Sequence, residues 1–112
     1  MALNIINEAD IKLIFTFTDA DGTPISANTV DFEFVFWTKN LANKMTASLK
    51  NDVYTNCSLD PTDESKLIVS LNEPKFAVGK LNCRASYFNP DNTFIDSNYK
   101  TVTDYELNIN II

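Results

Sequence analysis

The chain has 112 residues with 9 basic and 15 acidic side chains, a formal charge of −6. That balance speaks against nucleic-acid backbones and anionic membranes, both of which call for clustered Lys and Arg. Apolar residues make up 45%, with 8 Phe, 4 Tyr and 1 Trp, which suits one folded domain over residues 1–112 and excludes disorder of its body. No apolar run approaches the ~20 residues of a membrane-spanning helix. Met1 to Asp10 lacks the basic and apolar regions of a signal peptide.

Period-two alternation, the mark of half-buried strands, dominates the chain. In residues 11–17, Ile11, Leu13, Phe15 and Phe17 share one face, opposite Lys12, Ile14, Thr16 and Thr18. Asp19-Ala20-Asp21-Gly22-Thr23-Pro24 then reads as a turn, because Asp and Gly tolerate positive φ. It lacks the further oxygen ligands and the bidentate Glu of a calcium loop. In residues 30–37, Val30, Phe32, Phe34 and Phe36 form an apolar face, opposite Asp31, Glu33, Val35 and Trp37.

Residues 44–50 and 53–59 predict a hairpin around Lys50-Asn51-Asp52, although Leu41, Met45 and Leu49 also fit a short helix. Asp60, Asp63 and Glu64 read as a solvated acidic loop. Residues 67–71 form a short apolar strand. Residues 80–88 place Leu81, Cys83, Ala85 and Tyr87 on one face. A turn at Asn89-Pro90-Asp91-Asn92 precedes the last strand, where Tyr105, Leu107, Ile109 and Ile111 alternate with polar residues. Short strands punctuated by turns predict an all-β fold, an antiparallel Ig-like β-sandwich of about seven to eight strands. Its core comprises Leu13, Phe15, Phe17, Phe32, Phe34, Phe36, Val69, Leu107 and Ile109.

The chemistry of catalysis is sparse. The chain has no His, the commonest general base and metal ligand. Cys57 and Cys83 are too far apart in sequence for a CxxC site and read as free thiols. With only Gly22 and Gly79, no glycine-rich phosphate loop exists. The expectation is therefore a non-enzymatic protein with no metal and no cofactor. The candidate contact residues are Ile14, Val35 and Trp37, which would form one outer apolar patch if their strands pair, together with Ile111 and Ile112 at the chain end. Exposed apolar patches anchored by Trp often mark partner sites.

The order of these pieces resembles small Ig-like β-sandwich domains of tailed-phage structural proteins. It runs from the Asp10–Phe17 strand into Asp19-Ala20-Asp21-Gly22-Thr23-Pro24, then through the strands at 30–37 and 67–71, Val78-Gly79-Lys80-Leu81, Asn89-Pro90-Asp91 and Phe94-Ile95-Asp96. The closest comparisons are the N-terminal domain of baseplate upper proteins and head- or tail-associated proteins of Bacteroides-type phages. The resemblance implies a virion structural protein, whether capsid-associated, head-fibre-attachment or tail/baseplate subunit. Its partners would be other virion proteins and it would be assembled in the host cytoplasm. A bacterial surface or adhesin-type Ig-like module is the alternative, and a small enzyme or carbohydrate-binding domain a more distant one.

Overall fold

The computed structural model describes residues 3–39, 41 and 43–112. These residues form nine strands and no helix. The strands are Leu3–Ile5 (β1), Ile11–Thr16 (β2), Asp31–Trp37 (β3), Met45–Lys50 (β4), Val53–Thr55 (β5), Cys57–Asp60 (β6), Asp63–Leu71 (β7), Gly79–Pro90 (β8) and Asn98–Ile111 (β9). They make two sheets, a six-stranded one in the order β1-β9-β8-β3-β4-β5 and a three-stranded one in the order β2-β7-β6. The apolar faces of both sheets contribute to a single core.

Alternation explains the inner faces. In β3, Phe32, Phe34 and Phe36 are buried while Asp31, Glu33, Val35 and Trp37 turn outward. Phe15 of β2 and Phe17, just beyond its end, lie 5.0 and 5.5 Å, centroid to centroid, from Phe34 and Phe32 respectively. A tilted cluster of rings therefore joins the sheets. Leu13, Phe15, Phe17, Leu107 and Ile109 border this core and remain partly accessible. Phe76, in the β7–β8 connection, is buried outside any strand.

Three details differ from the sequence expectation. First, there are nine strands, and β1 runs parallel to the end of β9, with Leu3 opposite Ile109 and Ile5 opposite Ile111, so the larger sheet is mixed. Second, the segment 53–59 is not one strand. Asn56, at φ 54°, breaks it, sending β5 to the large sheet beside β4 and β6 to the small sheet beside β7. The Asn56 side chain donates to Thr46 O at 2.8 Å and its carbonyl accepts from Ser70 N at 2.9 Å, which ties the crossover to both sheets. Third, the helical alternative at Leu41, Met45 and Leu49 gives way to β4, where pairing with β3 buries Ala47 and Leu49 with period two.

Candidate contact surfaces

The acidic loops are held by local hydrogen bonds. Asp19 Oδ1 accepts from the backbone N–H groups of Asp21 (2.9 Å) and Thr23 (3.0 Å), an Asx-type turn. Donors from Thr62 hold the Asp60 carboxyl below its usual range, and Ser65 does the same for Asp63. Among the described residues, no three His, Cys, Asp or Glu side chains converge as a metal site. Cys57 and Cys83 are both free, one half-buried in the small sheet and the other buried in the large sheet.

The structure separates the predicted contact residues. Ile14 lies on β2, in the small sheet opposite Ile68, whereas Val35 and Trp37 lie on β3 of the large sheet. These strands do not pair, so the three residues do not form one patch. Ile111 is only 2% exposed and belongs to the core, on a strand paired between Ile5 of β1 and Gly79 of β8. Ile112 is exposed, and its backbone is bonded on both sides, N–H to Ile5 O and O from Asn7 N.

Two surfaces remain. The first is the outer face of the large sheet. The registers place Trp37 beside Asn82, Val35 beside Arg84, Ser86 beside Val102 and Phe88 beside Lys100. Three ion pairs cross it, Lys50–Glu33 at 3.0 Å, Lys80–Glu106 at 2.9 Å and Arg84–Asp104 at 2.8 Å. The Lys50 and Lys100 ammonium groups lie 5.9 and 5.8 Å from the Phe88 ring centroid. Solvated sheet faces are ordinarily polar, yet this one displays Val35, Trp37, Phe88 and half-exposed Val102.

The second surface is an open side that the sequence did not reveal. The rings of β2 pack over β3, while β6 and β7 lie against β4 and β5. Leu81, Cys83 and Ala85 on the inner face of β8 are buried, so it is β9 from Thr101 to Tyr105, with Tyr87 towards the end of β8, that extends beyond the small sheet. The resulting cleft of about 650 Å³ is lined by residues including Phe15, Phe17, Phe34, Tyr87, Tyr105 and Leu107. Tyr105 is consequently 46% exposed although it sits on the core-facing side of β9. Burial, and then neighbouring Tyr105, pushes the Tyr87 hydroxyl up to about 12. The only hint in the sequence was the polar run Thr101, Thr103 and Tyr105 on the inward register of the last strand.

No protein-family model matches the chain, and neither a curated protein nor a solved structure matches it. The likeness to phage domains accordingly rests on the sequence pattern.

Proposed function

We propose that this chain is a non-enzymatic structural subunit of a tailed-phage virion, its two sheets forming an Ig-like β-sandwich that works through protein–protein contacts. The observation that carries the contact role is the outer face of the six-stranded sheet, where Val35, Trp37, Phe88 and Val102 stand among crossing ion pairs. Apolar and aromatic groups ringed by charges are the usual composition of a contact surface. The virion setting comes from the strand-and-turn order described above, including Asn89-Pro90-Asp91 and Phe94-Ile95-Asp96. Other virion proteins are the partners on this reading. Mass spectrometry of particles purified from a producing host tests it. The chain should be present at a fixed ratio to the major structural proteins, and a Val102→Lys, Trp37→Ala double variant that still folds should be depleted. Absence of the parent chain from particles would overturn the reading.

A further inference from the structure

We propose that the open cleft receives an extended, uncharged β-strand from another protein, which pairs with the free edge of β2 and extends the small sheet. This deepens the assembly reading above and rests on it.

The first support is the backbone. Among the described residues, β2 is an edge strand, bonded within its sheet to β7 alone. Phe17 N donates to Ser65 O at 2.8 Å, one residue beyond the Thr16–Lys66 pair. In an antiparallel ladder this makes Thr16, Ile14 and Lys12 the pairs without mutual hydrogen bonds. Their N–H and C=O groups therefore point away from β7, along the free edge, as three donors and three acceptors at alternate positions. Natural edge strands are usually blunted by several charges, a proline or a bulge. β2 has a regular six-residue register, no proline and the single charge of Lys12.

The second support is the space beside that edge. Beyond β2 the large sheet continues to β9, whose inner positions Thr101, Thr103 and Tyr105 stay accessible beside Tyr87 while Leu81, Cys83 and Ala85 of β8 are already buried; this strip, about one strand or ~5 Å wide, forms the floor on which an added strand would lie. Every other residue of the incoming strand would face that floor. Among the described residues, the cleft lining has one charged residue, Glu106, and its carboxylate is engaged on the outer face by Lys80 at 2.9 Å. The inward side chains of the occupant are therefore apolar or hydroxylic. The chain's charge of −6 favours basic residues flanking the strand.

A second copy does not fit as occupant through its own β2. The two-fold axis of an antiparallel β2–β2 pair stands perpendicular to the sheet. It would place both six-stranded sheets on the same side, in the space already filled by β8 and β9. A segment from a different subunit, free of a sheet beneath it, has no such conflict. Strand addition of this kind draws affinity from main-chain bonds and specificity from alternate side chains.

The test uses the whole chain and a capped nonapeptide that alternates valine and threonine between terminal lysines, with amide exchange followed residue by residue by NMR. Saturating peptide should slow exchange at Lys12, Ile14 and Thr16 by at least about tenfold, roughly 1.4 kcal/mol, and leave Leu13 and Phe15 unchanged. Ile14→Pro removes the central free-edge N–H without touching a β7 bond and should abolish the effect. Thr101→Trp, at a residue that lines the cleft and lies outside the β2 edge, should weaken it at least about tenfold. Absence of protection, or protection that survives both substitutions, would overturn the proposal. Particle incorporation that survives Ile14→Pro would overturn strand addition as the assembly contact. Absence of the parent chain from particles would instead fall on the virion reading, with the peptide result standing.

Discussion

The Arg84 guanidinium lies 5.6 Å from the centre of the Trp37 ring. The same group donates from Nε and an Nη to the two carboxylate oxygens of Asp104 at 2.8 and 3.2 Å. Trp37, Arg84 and Asp104 thus form a cross-strand row over β3, β8 and β9, in which the cation beside the indole is itself oriented by a carboxylate.

This row makes Trp37 a surface residue with a modest share in stability. A cation–π contact at an exposed site contributes about 0.5–1 kcal/mol, and the half-buried indole adds the apolar area it covers on the sheet, whereas the Arg84–Asp104 pair survives its removal. Trp37→Ala should therefore lower stability by about 1–2 kcal/mol in urea unfolding, with the slope unchanged. A loss of 4 kcal/mol or more, the range ~3–5 kcal/mol of buried aromatics, would mean that the indole is core.

Phe34 sets the contrast. It is 2% exposed and lies 5.0 Å from both Phe15 and Phe32, and about 6 Å from Phe17 and Tyr87. Truncation leaves a cavity that both sheets line. Phe34→Ala should cost about 3–5 kcal/mol, read by the same unfolding experiment, and should exceed the cost of Trp37→Ala.

High pH should destabilise the fold. Burial, with Asp104 nearby as a lesser cause, pushes the Cys83 thiol from 9.0 up to about 12, and the Tyr87 hydroxyl moves from 10.0 to about 12. The unfolded chain therefore releases these protons before the folded chain does. The stability they confer is complete below pH 9 and is lost as pH rises from 9 towards 12. Chemical denaturation at a series of pH values should show this fall, and Cys83→Ala should make it shallower. A profile as steep in Cys83→Ala as in the parent would exclude Cys83 as a source.

The β4–β5 hairpin supplies a stabilising change. Its two-residue turn puts Asn51 at φ 51° and Asp52 at φ 65°, between the paired residues Lys50 and Val53. This is the signature of a type I′ turn, in which glycine suits the second position best. Asp52→Gly should raise stability by about 0.5–1 kcal/mol, measured as a higher melting temperature.

Alternation along the chain determined most strands and which face of each turns inward, because a one-residue slip would carry a whole apolar row into water. Phe32, Phe34, Phe36 and Val69 are buried as their spacing requires. The turn residues Asp21-Gly22 and Asn51-Asp52 were equally legible, since their backbone preferences are local. Only the tertiary structure decided which strand lies beside which. β2 and β3 carry matching patterns yet belong to different sheets, and this sent Ile14 to one outer face and Val35 and Trp37 to another. Ile111 looked like a loose apolar end, whereas β1 pairs beside it and its side chain joins the core. The cleft follows from the two sheets having unequal widths, three strands against six. Period-two patterning reports the face on which a residue lies, and it carries no information about how far the opposing sheet extends.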